Sequence, residues 1–215
     1  GPAGAGKSTV AKLVAKSLHY TFIDSGAMYR CVALESRAKG IAVDNVDGLE
    51  TIARTIKIQF GSGPDGAQIV LSNGTDVSSA IRTQDISSLV SPVSAVPGVR
   101  KYMTSQQQSM GSSGGVVMEG RDIGTVVFPD AEVKIYLTAS PEERARRRYE
   151  ELLAKGTETT FESVLKDQLE RDHRDSTRAE APLKPAEDSI TILTDGLTIN
   201  DVVDNICEIA RQKGA

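Results

Sequence analysis

The sequence has no tryptophan, and aromatic residues make up only 4% of its 215 positions. Surfaces that grip single-stranded nucleic acid stack bases on aromatic rings, and too few rings are present here to build one. Its two cysteines, Cys31 and Cys207, lie far apart and match neither a metal-binding nor a disulfide spacing. A reducing cytoplasm is their natural setting. No apolar run reaches the roughly 20 residues of a membrane span, and no signal peptide is recognisable. Charge of one sign is also missing. Lys and Arg total 25 against 29 Asp and Glu, a net charge of −4, so no basic field marks a general nucleic-acid binder. A chain of this length can bury a good core within one domain.

What is present starts at residue 1. Gly1 to Thr9 read Gly-Pro-Ala-Gly-Ala-Gly-Lys-Ser-Thr and fit G-x-x-x-x-G-K-[ST], closing on Gly6, Lys7 and Ser8. A loop that wraps a phosphate chain must bring backbone N–H groups close to it, so its side chains must be small or absent. Gly1, Ala3, Gly4, Ala5 and Gly6 meet that demand, and with Pro2, Lys7, Ser8 and Thr9 they form the candidate binding loop for a nucleoside triphosphate. Lys7 supplies a charge to the outer phosphates, and the Ser8 hydroxyl is a candidate Mg²⁺ ligand. Val10, Leu13, Val14 and Leu18 recur at helical spacing, which predicts a helix starting at Lys7 and Ser8 with its free amides facing the phosphates. Such a loop follows a buried parallel strand, so a strand is expected ahead of Gly1.

Further along, Tyr20 to Asp24 reads as a buried strand, and Gly26 to Ala38 and Asp44 to Thr55 as helices. The period then changes to two. Ile56, Ile58 and Phe60 alternate with polar residues, residues 61–66 form a Gly- and Pro-rich turn, and Ile69 and Leu71 resume the alternation. Asn73-Gly74 is a hairpin signal, and a three-stranded antiparallel meander is predicted. Helical spacing returns from Gln84 to about Gln108, broken by Pro92 and Pro97. Val116 to Met118 and Val133 to Leu137 are predicted strands, the first running into Glu119-Gly-Arg-Asp122. Ser140-Pro-Glu-Glu143 has the form of a capping box and opens a helix to about Lys155. A second helix from Phe161 to Arg174 has Val164, Leu165 and Leu169 as its thin apolar stripe, and a strand to Leu193 and a helix from Ile199 close the chain. Strands alternating with helices predict an α/β fold, a parallel sheet with helices on both faces plus a small antiparallel β insert.

The loop alone is shared by switches, motors and kinases. The Asn-Lys-x-Asp string of a guanine-reading switch is absent, whereas arginine recurs near strand and loop ends at Arg30, Arg100, Arg121, Arg144, Arg148, Arg171, Arg174 and Arg178. Phosphoryl transfer between nucleotides needs that supply, because charge on donor, acceptor and migrating group must be neutralised together. Arg146, Arg147 and Arg174 read as surface ion-pair partners, and Arg121, at a strand's carboxyl end, as functional. His19 and His173 read as surface or hinge residues and receive no catalytic role.

The strings Gly1 to Thr9, Asp24-Ser-Gly-Ala-Met-Tyr-Arg30, Ile81-Arg-Thr-Gln84, Gly120 to Pro129 and Arg171 to Arg178 make the chain similar, essentially end to end, to the bacterial cytidylate kinases, a family of nucleoside monophosphate kinases. The resemblance implies ATP as phosphoryl donor, Mg²⁺ as cofactor, and CMP and dCMP as acceptors. It implies catalytic roles for Lys7, Arg121 and Arg171. Ser25, Arg30 and Arg121 would hold the acceptor phosphate, Ser91, Arg100 and Asp122 would read cytosine, and Arg171, Asp175 and Arg178 would surround the acceptor's sugar and phosphate. On the same ground, residues 1–215 form a single P-loop kinase domain, with a monophosphate-binding region over about 30–105 that holds the meander, and a lid over about 149–170. A cytoplasmic monomer is expected, with nucleotides rather than nucleic acid or membranes as partners. Two other readings stay open, a kinase of the same fold acting on another monophosphate such as UMP, and a regulator that binds ATP with no acceptor-stimulated ADP release.

Overall fold

The computed structural model describes residues 1–63 and 68–214. Its elements run α1 (Lys7–Leu18), β1 (Thr21–Asp24), α2 (Ser25–Ala38), α3 (Val46–Thr55), β2 (Ile58–Ser62), β3 (Gln68–Ser72), β4 (Thr75–Asp76), α4 (Gln84–Ala95), α5 (Pro97–Gly111), β5 (Val116–Glu119), β6 (Ile135–Thr138), α6 (Pro141–Ala154), α7 (Phe161–Thr177), β7 (Ile190–Leu193) and α8 (Ile199–Gln212). The chain divides into two compact units, one of residues 1–22 with 114–215 and one of residues 23–113.

In the first unit β6 and β7 pair in parallel, Ile135 opposite Ile190 through to Thr138 opposite Leu193. The Thr21 amide donates to the Gly115 carbonyl at 2.8 Å. Val10 and Val14 of α1 and Val202, Val203, Ile206 and Cys207 of α8 close over Leu137 and Ile192, each helix burying the stripe its period dictates. Leu13 departs from the predicted stripe and is 37% exposed. The capping box expected at Ser140 forms only in half. Its hydroxyl accepts from the Glu143 amide at 3.3 Å, but the Ser140 amide donates to Asp195. Glu143 is drawn instead to Arg146 and Arg147, because two guanidinium partners offer a carboxylate more than one amide does. The complete box is at α8, where Thr198 and Asp201 satisfy each other's amides.

In the second unit β2, β3 and β4 form the antiparallel meander, with Ile58 opposite Ser72 and Leu71 opposite Asp76. Asn73 and Gly74 take φ of 51° and 83°, the two positive values a tight hairpin turn requires. The last part of the predicted turn at 61–66, residues 64–66, lies outside the described residues. Met28, Val32, Leu49, Ile52, Val70, Ile81, Ile86, Val93, Val99 and Met103 form its buried core. Pro92 does not break the helix as expected, and α4 runs through it. Ile86, Val90 and Val93 keep that helix's buried face, and their packing outweighs the one hydrogen bond a proline removes. The break falls at Val96, extended at φ −72° and ψ 120° directly before Pro97, which opens α5.

Candidate active site

The phosphate loop is shaped by backbone. Gly4 and Gly6 hold φ of 74° and 84°, and α1 begins at the next residue, Lys7. Gly1 is required for a different reason, since a Cβ there would fall into the Leu137 carbonyl. The first turn of α1 carries no acidic residue to repel an anion. Ser8 and Thr9 are exposed in that turn.

Lys7 folds back, its ammonium donating to the Pro2 carbonyl at 2.5 Å. Burial holds its pKa well below the usual lysine value, Arg121 and Arg171 push it the same way, and Glu119 and Asp172 oppose them. The three predicted catalytic residues therefore share one electrostatic neighbourhood. Arg121 Nε donates to Asp175 Oδ2 at 3.1 Å, with the two side chains 20% and 8% exposed. The Asp175 carbonyl accepts from the Leu183 amide at 2.8 Å, and Arg178 Nε donates to the Ala181 carbonyl at 2.7 Å, which folds the chain back after α7. Asp122 is buried, and its carbonyl takes the amides of Thr125, Val126 and Val127, so a wide turn over Ile123–Val127 fixes its backbone. That turn left no readable trace in the sequence.

In the second unit Asp24 accepts from the Ala27 amide at 3.0 Å and caps α2, which starts with the buried Ser25. Arg30 Nη1 donates to Ser87 Oγ at 2.7 Å and to the Ile81 carbonyl at 3.3 Å. Arg100 is buried, donates to the Ser94 carbonyl at 3.1 Å and stands 5.6 Å over the Tyr29 ring. Ser94 Oγ in turn donates to the Ser91 carbonyl at 3.0 Å, so Ser91 and Arg100 belong to one bonded cluster.

Arg146 meets the expectation of an exposed ion-pair residue, with Glu143 and Glu150 as partners. Arg147 meets it in part, pairing with Glu143 at 2.9 Å, but it also reaches Thr194 through both the hydroxyl, at 3.0 Å, and the carbonyl, at 3.1 Å. Sequence reasoning missed the roles of Glu119, Gln168 and Asp172, which the fold brings near the loop. An acid at a strand's carboxyl end was the signal for Glu119, whereas nothing local marked the other two. No group of three or more His, Cys, Asp or Glu suited to a metal is found among the described residues. The exposed Ser8 hydroxyl fits a hard divalent cation that takes its other ligands from water and phosphate oxygens.

A phosphate loop opening a helix, a half-buried lysine among arginines and an α/β frame with an antiparallel insert together define a nucleoside monophosphate kinase. The cytidylate kinase family model matches residues 1–212, and the chain belongs to that family. It is 49% identical to a cytidylate kinase of Carboxydothermus hydrogenoformans over 99% of this chain and 96% of the relative. A cytidylate kinase of Geobacter sp. (strain M21) is 50% identical over 95% of this chain and 87% of its own length. The chain also matches a bifunctional pantoate ligase/cytidylate kinase of Synechococcus sp. (strain RCC307), at 46% identity over 99% of this chain and 42% of that protein. Among the described residues no helix is long and apolar enough to cross a membrane.

Proposed function

We propose that the chain, acting as a monomer, transfers the γ-phosphoryl group of ATP to CMP and dCMP, giving ADP with CDP or dCDP. The observation that carries this reading is Lys7, half-buried at the start of α1 in the combined field of Arg121, Arg171, Glu119 and Asp172. An ammonium disfavoured by its surroundings gains most when an anion arrives, so donor phosphates would draw Lys7 off the Pro2 carbonyl and favour its charged form. The loop Gly1 to Thr9 holds the donor phosphates through its amides, and Ser8 would ligate Mg²⁺. When bound, Mg²⁺ neutralises charge on the donor phosphates.

Arg121 and Arg171 stabilise charge on the migrating group, and Asp175 keeps Arg121 in place. In the second unit, Ser25 and Arg30 bind the acceptor phosphate, and the Ser91 and Arg100 cluster reads the base. In the first unit, Asp122 reads the cytosine amino group and Asp175 and Arg178 serve the acceptor's sugar and phosphate. Residues 149–170 act as the lid, which excludes water from the donor. Its two helices are joined by the edge-to-face contact of Tyr149 and Phe161, with ring centroids 6.4 Å apart. The test is ADP release with CMP, dCMP, UMP, AMP and GMP as acceptors. CMP and dCMP should stimulate release most. Release that no acceptor stimulates would overturn the kinase reading, and preference for UMP would overturn the choice of base.

A further inference from the structure

The buried face of α7 is not the apolar stripe its sequence suggests. Val164, Gln168, Asp172 and Asp175 lie four, four and three residues apart and share one side of the helix. Val164, Gln168 and Asp175 are buried, whereas Leu169 is 46% exposed. Three of these four residues are polar, and each meets a different segment. Gln168 Nε2 donates to the Pro141 carbonyl at 3.3 Å, and its Oε1 lies 3.1 Å from where a Cβ on Gly4 would stand. Asp172 pairs with Arg144, and Asp175 accepts from Arg121.

Arg144 is the junction of this seam. Its side chain is 6% exposed. Nε donates to the Ala139 carbonyl at 3.0 Å, and Nη1 serves both Asp172 Oδ2 and the Ala3 carbonyl, the latter at 3.0 Å. One guanidinium thus binds the phosphate loop, the turn after β6 and α7. Asp172 Oδ1 is buried with no hydrogen-bond partner among the described residues, so Arg144 is the carboxylate's principal anchor.

We infer that Arg144 is a positioning residue for phosphoryl transfer, one that fixes α7, and with it Arg171, against the phosphate loop through Ala3 and Asp172. The inference rests on the kinase reading above. Arg171 is the residue directly before Asp172, so any slip of α7 along the seam moves it. The contact to the loop is made at a backbone carbonyl, so a change of loop shape around bound phosphates is passed directly to the guanidinium. A seam of polar bonds can exchange partners, whereas an interdigitated apolar one resists such movement. Only a planar fork satisfies three acceptors set in different directions, and lysine cannot replace it. A buried ion pair is weak evidence of stabilisation for its own sake, which leaves placement as the stronger reason for it.

The test compares Arg144→Lys, Asp172→Asn and the double variant with the parent chain. It measures kcat and KM for ATP and CMP, binding of a non-hydrolysable ATP analogue, thermal unfolding, and hydrogen exchange over residues 161–177 with and without the analogue. Each single variant should lower kcat about tenfold or more, with KM for CMP changed less than about twofold. The double variant should be no worse than the worse single one. Analogue binding should slow exchange in α7 of the parent and not in Arg144→Lys. The inference is overturned if both singles keep kcat within about twofold, if their losses multiply, or if the analogue protects α7 equally in parent and variant. The exchange arm needs no turnover, so it decides this linkage even if CMP fails to stimulate ADP release, a result that overturns the kinase reading instead.

Discussion

Gly4→Ala tests how tightly the phosphate loop is pressed onto α6. At φ +74° an alanine is in the left-handed region, at a cost of about 1–2 kcal/mol. Its Cβ would also stand 2.9 Å from the Arg144 carbonyl oxygen and 3.1 Å from both Arg144 Cβ and Gln168 Oε1. The Arg144 carbonyl belongs to a helix and cannot turn aside, so the loop must move, an overpacking term of about 1–3 kcal/mol. Lower chain entropy in the unfolded state returns about 0.5 kcal/mol. The net loss is about 2–4 kcal/mol, or a Tm lower by roughly 5–15 °C for a chain of this size. Gly74→Ala is the control. It has the same kind of backbone, φ +83°, but nothing within 4 Å of the new Cβ, so only the conformational cost, less the same entropy term, remains, about 1–6 °C. Differential scanning calorimetry gives the two shifts, and titration with a non-hydrolysable ATP analogue should show weaker binding for Gly4→Ala alone. Equal small shifts in both variants, with unchanged analogue binding, would refute the packing of Gly4 against Arg144 and Gln168.

Three further outcomes follow from the same geometry. Lys7→Ala should lower CMP-dependent turnover by about a hundredfold or more while leaving Tm unchanged or raised, because burial already disfavours its ammonium without nucleotide; steady-state kinetics and a melting curve check both halves. Asp122→Asn should reduce the CMP-over-UMP ratio of kcat/KM, since an amide can donate where a carboxylate only accepts, and an unchanged ratio removes Asp122 from base reading. Burial, helped by Asp24, pushes the Cys31 thiol up to about 12 from a reference value of 9.0. The folded chain then holds this proton between those values while the unfolded chain loses it, so stability should fall as pH rises from about 9 toward 12. Urea midpoints should show that slope in the parent and lose it in Cys31→Ala; equal slopes would remove Cys31 as the cause.

What was legible in the sequence was whatever rests on local chemistry. Gly4 and Gly6 announce the loop because few other residues tolerate their backbone, and Asn73-Gly74 announces the hairpin for the same reason. Pro97 marks its helix start because its ring restricts the residue before it. Pro92 misled because a local rule met a buried face formed by Ile86, Val90 and Val93, and packing prevailed. The half-formed box at Ser140 failed in a similar way. Its amide partner, Asp195, is 55 residues distant, and no window on the sequence contains both.

The candidate site divides along the same line. Arg121 could be singled out because it stands two residues past β5 beside Gly120 and Asp122, whereas Arg30 lies within α2 and Arg100 in the first turn of α5 rather than at the strand or loop ends expected. Arg144 was legible as an arginine but not as a junction, since its bonds reach Ala3 and Asp172, 141 and 28 residues away. The reading of α7 held at the buried Val164 and failed at Leu169 for a physical reason. Hydrophobic periodicity finds a helix face only when apolar residues cover it, and this helix covers its inner face with Gln168, Asp172 and Asp175, leaving Leu169 to solvent. If α7 shifts with bound phosphates, as the proposed linkage requires, an apolar interlock would serve it poorly, because each step would open a void costing about 1 kcal/mol per methyl-sized gap. Hydrogen bonds to Pro141, Arg144 and Arg121 can lengthen or exchange at smaller cost. On that proposal, the polar pattern that hid the inner face of α7 from sequence reading is what suits that helix to carry Arg171.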